Sequence, residues 1–326
     1  MRLALLVALT IALLAVTGCH REEVIVKTTD GRKLRAEDID RDPLALLPGG
    51  AIGIVYFDAQ KLYASPFGQG VLQLAQRHAP VPEAANYDPQ RDLHRLYVGF
   101  YSMQGADFAG VATGGFDQEA IEAAADGTQV TPMGVAVVKS TYAGRKLYTA
   151  ANLGFVVLTS HTVLFGNETG IRRTLDRIER GTVAREVPDW ALDLLERPEA
   201  PMAAAFDMES NPVSAAARDR LPFTVGLQRA RVVGNFEPPG INMAGTASYA
   251  DAASAQQGAA GINNLQATVR QWSWAAALLG IQQPIRQLQA QPIGDRVDFV
   301  IGLDAAVVTA MLDQASKVVA PATTGG

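Results

Sequence analysis

Three hydrophobic patterns follow one another along this chain. The first is an unbroken apolar run at residues 3–16, LALLVALTIALLAV, immediately after Arg2. The second is a set of short apolar runs of strand length bounded by turn residues. In the first half they fall at 51–58 (AIGIVYFD), 93–103, 107–116, 133–140, 145–150, 153–159 and 162–166. In the second half they fall at 201–208, 227–234, 243–251 and 296–303. Runs of this length with turn residues at both ends predict buried or half-buried strands. The third pattern has helical spacing. Phe67, Val71, Leu72 and Leu74 form a stripe over 66–77, and Ile171, Leu175 and Ile178 recur between Asn167-Glu168 and Gly181. Asp117 precedes QEAIEAAAD and is predicted to cap that helix, which stops at Gly127. Long helical patterns also follow Asp251 and Asp304.

The first run has a separate meaning. Fourteen residues rise only about 21 Å as a helix, short of the roughly 30 Å hydrocarbon core of a bilayer. A positive residue, a short apolar stretch, small residues and then the single cysteine of the chain form the layout of a secretory signal peptide. Val16-Thr17-Gly18-Cys19 resembles the lipobox of bacterial lipoproteins, with Val16 where that family most often has Leu. The resemblance implies cleavage between Gly18 and Cys19, a diacylglycerol thioether on Cys19, and acylation of the new N-terminus with chains such as palmitate. It also implies attachment to the cell envelope. His20 stands where Asp would signal inner-membrane retention in Gram-negative bacteria, so sorting to the outer membrane is favoured there.

Residues 19–43 are densely charged and form a solvated tether or a short hairpin. Val24-Ile25-Val26 and Lys33-Leu34-Arg35 flank Asp30-Gly31 and favour the hairpin. The body begins at Leu44. Its second half repeats the grammar of the first: PMAAAFD parallels the run ending Tyr56-Phe57-Asp58, and Leu227–Gly234 aligns with Leu93–Gly99. Likewise MAGTASYAD parallels FAGVATGGFD, and RVDFVIGLD with its following helix parallels 154–166 and the helix after it. The expected organisation is a module at 44–181, a connector at 182–200, a second module at 201–318 and a tail at 319–326. The expected fold is α+β: two similar modules, each a mostly antiparallel sheet with helices packed on one face. Leu44–Pro48, the FAG…GGFD joint and Leu164-Phe165-Gly166-Asn167-Glu168 together resemble uncharacterised bacterial envelope proteins built of duplicated α+β modules. That resemblance implies an extracytoplasmic place and gives no activity, so it assigns no functional residues.

Composition narrows the rest. The chain has 326 residues, 48% hydrophobic and 19% charged, with a net charge of −5. A mildly acidic chain without a basic patch argues against nucleic acid as a partner. One cysteine excludes an internal disulfide and a Cys-based metal site. His20, His78, His94 and His161 lie at no metal-ligand spacing, and no nucleophile-elbow or phosphate-loop motif occurs. Ser160-His161 are strand neighbours, whose side chains diverge. The glycine-bearing joint 166–170 reads as turn geometry and capping. Asp58 and Asp207 occupy equivalent strand ends. They are either caps or a carboxylate pair across the two modules, and capping is favoured. Trp272 and Trp274, in the apolar stretch 272–281, are candidates for a docking surface. No catalytic residue, metal or cofactor is expected. The function expected is a non-enzymatic, lipid-anchored envelope protein that binds or assembles other proteins. Binding of a small apolar or envelope-derived ligand between the modules is the alternative, and a hydrolase ranks third.

Overall fold

The structure, a computed structural model, describes residues 24–27, 33–78, 87–102, 107–131, 134–196, 199–210, 218, 221–271 and 285–318. The apolar run at 3–16, Cys19, Trp272 and Trp274 lie outside the described residues. Strands β1 (Val24–Lys27) and β2 (Lys33–Arg35) pair antiparallel as a small ribbon of their own. Helix α1 (Ala36–Asp40) and a 3-10 turn at Pro43–Leu46 lead into the body. The first half continues with β3 (Gly53–Asp58), α2 (Ala59–Tyr63), α3 (Gly68–His78), α4 (Pro89–Asp92), β4 (Leu93–Ser102) and β5 (Asp107–Gly114). Then come α5 (Gln118–Gly127), β6 (Val138–Tyr142), β7 (Arg145–Ala150), β8 (Leu153–Val157), β9 (Thr162–Asn167) and α6 (Glu168–Glu179). Helix α7 (Asp189–Leu195) precedes β10 (Met202–Asp207), β11 (Leu227–Asn235) and β12 (Gly240–Tyr249). Helix α8 (Ala252–Gln271), β13 (Ile285–Ile293), β14 (Arg296–Asp304) and α9 (Ala305–Val318) complete the chain.

The local signals explain the helix starts. The Asp117 carboxylate accepts from the Ala120 amide and the Asn167 carbonyl oxygen from the Gly170 amide, each at 3.0 Å. The long-range arrangement differs from two separate sheets. Twelve strands form a single antiparallel sheet in the order β13-β14-β12-β11-β10-β3-β4-β5-β9-β8-β7-β6. Its centre is the β10–β3 pairing, with Met202 opposite Phe57 and Phe206 opposite Gly53. Going outward from that pairing, one side runs β3, β4, β5, β9, β8 and the other β10, β11, β12, β14, β13. The strand order is the same in both directions, and the first half adds β7 and β6. The fusion has a physical cause. Both central strands are apolar on both faces: Ile54 and Tyr56 with Ala203 and Ala205 on one, Met202 and Ala204 on the other, all at most 7% exposed. A strand of that kind is poorly suited to a solvated edge, and pairing with its counterpart removes both edges.

The helices cover the sheet unequally. The front face is the one that carries Tyr56, Tyr97, Val111 and Leu164. In the first half it is covered by α6 (Ile171, Leu175, Ile178), the 3-10 turn (Leu44, Leu46) and α7 (Ala191, Leu194, Leu195). The back face of the same half is covered by α2 and α5, with Tyr63, Ile121 and Ala125 over Ala112, Tyr148, Phe155 and Val157. The expectation of helices on one face is therefore corrected here: this half has three layers. Strands such as β8 (LGFVV) show why, since they lack the polar alternation of a one-sided strand. In the second half α8 and α9 both lie on the back face, over Ala247, Val297 and Ala290 and over Met202 and Phe236 respectively.

The segment before the body is pinned by one carboxylate. Asp40 Oδ1 accepts hydrogen bonds from Thr159 Oγ1 at 2.5 Å and Thr162 Oγ1 at 2.6 Å. Both threonines are almost fully buried in the β8–β9 turn. Asp40→Ala leaves two buried hydroxyls short of their acceptor. It should lower stability by about 2 kcal/mol, read as a lower urea midpoint with an unchanged slope.

Candidate functional site

The unequal cover leaves one broad surface open. Helix α6 after β9 packs on the front face, whereas α9 after the corresponding β14 packs on the back. Among the described residues, nothing beyond α7 packs on the front of β11, β12, β14 and β13. Cross-strand register defines what it presents. Arg231, Thr246, Asp298 and Gln291 form one row, and Val233, Ala244, Val300 and Gln289 the next. Along β13, Gln287, Gln289 and Gln291 are exposed, while Ile285 and Ala290 on the opposite face are buried. Leu194 of α7 closes one side of a cleft of about 550 Å³ over these rows.

The charges on this face are balanced locally. Arg231 bonds Asp193 at 2.7 Å, Arg229 bonds Glu209 at 3.1 Å, and Arg296 lies 3.0 Å from Asp298. Arg229 also lies over the Trp190 ring, 5.5 Å from its centroid. At the end of β14, the Ala306 amide and then Arg286 hold the Asp304 carboxyl below the usual carboxylate range. Exposed pairs of this kind add little stability. Their effect is to leave a surface on which amides, hydroxyls and matched charges adjoin an apolar row, Val233, Ala244 and Val300.

The residues singled out by sequence fall elsewhere. Asp58 Oδ1 accepts from the Lys61 amide at 3.0 Å and caps α2. Asp207 accepts from the Glu209 and Ser210 amides at 3.2 and 3.1 Å and from Ser210 Oγ at 3.0 Å. The two carboxylates do not meet. Their strands pair antiparallel, so equivalent ends point apart: the Asp58 amide bonds Pro201 and the Asp207 amide bonds Ile52. Six residues along β10 separate those positions, roughly 20 Å. His161 Nδ1 lies 3.0 Å from the Gly114 carbonyl oxygen, and His94 is exposed on β4. Among the described residues no group of three His, Cys, Asp or Glu side chains could hold a metal ion. No described helix is long and apolar enough to cross a membrane. The open face was missed, although the alternation Gln287-Leu288-Gln289-Ala290-Gln291 is a visible sign of a strand covered on one side only.

Neither a family model nor a curated protein matches this sequence. Solved structures do. A crystal structure of TP0453 (form III), a Treponema protein, superposes with a TM-score of 0.53 at 11% identity, covering 84% of this chain and 98% of that one. Form I of the same protein gives a TM-score of 0.49 at 13% identity, covering 84% and 97%. At this identity the likeness concerns the fold: an α+β chain organised on a large antiparallel sheet.

Proposed function

We propose that this chain is a non-enzymatic, lipid-anchored protein of the bacterial envelope that binds a protein partner on the open front face of its second half. The observation that carries this reading is the placement of α9. The strand order of the two halves matches, yet the helix that covers the front face in the first half has its counterpart on the back in the second. Among the described residues, four adjacent strands are thereby left with an open front face beside a cleft. A partner of matching polarity would bury that surface and fill the position that α6 holds in the first half. The match in strand order also supports an internal duplication of the α+β module.

The lipobox-like Val16–Cys19 supports the anchor. The likeness to TP0453, itself an outer-membrane-associated lipoprotein, supports an envelope address. The outer membrane is the favoured one in a Gram-negative host, on the strength of His20.

A photo-crosslinking amino acid placed at Ala244 or Gln289 on the full-length anchored protein tests the docking face. Both positions should yield the same discrete adduct in intact cells. The exposed Glu119 on α5 should not yield it. Equal adducts from all three positions, or none from Ala244 and Gln289, would refute the assignment.

A further inference from the structure

The open front face has a floor and two walls. The floor is β12, whose front-facing side chains Ala244, Thr246 and Ser248 are short. Arg231 and Val233 of β11 flank it on one side, Asp298 and Val300 of β14 on the other. Leu194 of α7 stands beyond the first pair, and Gln289 and Gln291 of β13 beyond the second.

These dimensions select the shape of an occupant. Strands lie about 4.8 Å apart, so the span from β11 to β13 is about 14 Å. An α-helix with its side chains is about 10 Å across. One helix beside α7 fills that width, and two do not. The first half shows the arrangement completed. There α6 lies on the front face together with α7, and its Ile171, Leu175 and Ile178 share a cluster with Val111 and Leu164. Val111 pairs with Leu164 across β5 and β9 as Thr246 pairs with Asp298 across β12 and β14. The pair beneath the helix is apolar in the first half and polar in the second.

The chemistry asked of the occupant follows from the same rows. Charges on this face are matched within the chain, so the occupant needs no net charge. Hydrogen bonding is not matched. Asp298 Oδ1 is buried and accepts no hydrogen bond among the described residues. Arg296 Nε lies 3.0 Å from it without the direction to donate, and Arg296 Nη2 reaches the other oxygen at 3.5 Å. Among the described residues it is the one buried, unpartnered polar atom that lines this cleft. A buried acceptor is costly to leave unmet, so it calls for a donor. Rows on one face of a sheet repeat about every 6.8 Å along a strand, and one helical turn advances about 6 Å from i to i+4. Successive turns therefore meet successive rows: Thr246 with Asp298, then Val233 with Ala244 and Val300, then Asn242 with Gln287.

We infer, on the basis of the docking face proposed for it, that the occupant of this surface is a single amphipathic α-helix of the protein partner, lying beside α7 along β12. The helix presents a side-chain N–H donor, from Asn, Gln, Lys or Arg, to Asp298. Three or four residues away it sets a small apolar side chain on Ala244, and one turn further a polar side chain against Asn242 and Gln287.

Photo-crosslinking from three successive rows tests this, with the crosslinking amino acid at Thr246, Ala244 or Asn242 of the full-length anchored protein in intact cells. The adducts are sequenced by mass spectrometry. The partner residues captured should lie in one segment, three or four apart between neighbouring rows. Asp298→Leu removes the acceptor at similar volume and should lower the yield from Ala244, at equal amounts of anchored protein, by about fivefold or more, approaching the scale of a hydrogen bond to a charged group. Asp298→Asn keeps an acceptor oxygen and should retain most of the yield. Captured residues two apart, as in a strand, or scattered over separate segments would overturn the helix and leave the docking face standing. An unchanged yield in Asp298→Leu would overturn the donor at Asp298. No adduct from any of the three rows would refute the docking face itself, and the helix with it.

Discussion

Cys19→Ala is expected to abolish incorporation of labelled palmitate and to remove the protein from the membrane pellet. The size of this effect follows from how little else could hold the chain to a bilayer. Each buried methylene contributes about 0.8 kcal/mol, and a single acyl chain gives only marginal, reversible attachment. A diacylglycerol with a third, amide-linked chain makes attachment effectively permanent. Among the described residues nothing else offers an attachment of that strength. The run at 3–16 is too short to span, and the net charge of −5 offers no attraction to anionic lipid. No described helix has the length and hydropathy to cross. Fractionation and acyl labelling read the outcome directly. Acyl label retained by the variant would show that Cys19 is not the attachment point.

Gly166→Ala is expected to destabilise the fold by about 3–5 kcal/mol, combining the strain of a glycine-only backbone region with overpacking against main chain. Gly166 has φ +148°, in the region that L side chains avoid. A Cβ there would lie 2.5 Å from the Phe108 carbonyl oxygen and 3.2 Å from Ala109 Cα. These are backbone atoms of the paired strand β5, which cannot swing aside as a side chain can. Gly170 approaches the same carbonyl, with an ideal Cβ only 2.1 Å from it. Between them the Asn167 side-chain oxygen accepts from the amides of Phe108 and Gly170, at 3.3 and 3.0 Å. The joint thus closes around the backbone of β5 and fixes how α6 leaves the sheet. Gly115→Ala, at the other strand-to-helix joint, is the control: nothing lies within 4 Å of its Cβ. Denaturant titration should show a large fall in midpoint for Gly166→Ala and a change within about 0.5 kcal/mol for Gly115→Ala.

These glycines show how far sequence reading extends. Gly166-Asn167-Glu168-Thr169-Gly170 can be read as a capped joint and not as a phosphate loop, because capping depends on residues three positions apart. The sequence does not reveal that both glycines are needed by Phe108, about sixty residues earlier. The same distinction separates Asp58 from Arg95. Asp58 as a cap is a local statement and was legible. That Arg95 has no carboxylate within ion-pair distance among the described residues depends on the β3–β4 register and on which of two claims on Asp58 prevails. No spacing along the chain expresses that competition.

The sequence by itself determined the features that act over a few residues: the lipobox-like run ending at Cys19, the caps at Asp117 and Asn167, and the strand-length apolar runs. It also carried the repeated grammar of the two halves, because equivalent strands need equivalent patterns to be buried in equivalent places. Only the tertiary structure decided that the halves share one sheet, that α6 and α9 take opposite faces, and that Asp58 and Asp207 point apart. Those outcomes depend on pairing between strands more than a hundred residues apart in sequence and on which face a helix can reach after its strand. Many chains with the same local pattern could settle them differently, since burial is satisfied whenever an apolar surface finds a cover. Here that cover was found on the back face, and no described element beyond α7 covers the mixed polar and apolar front of the second half.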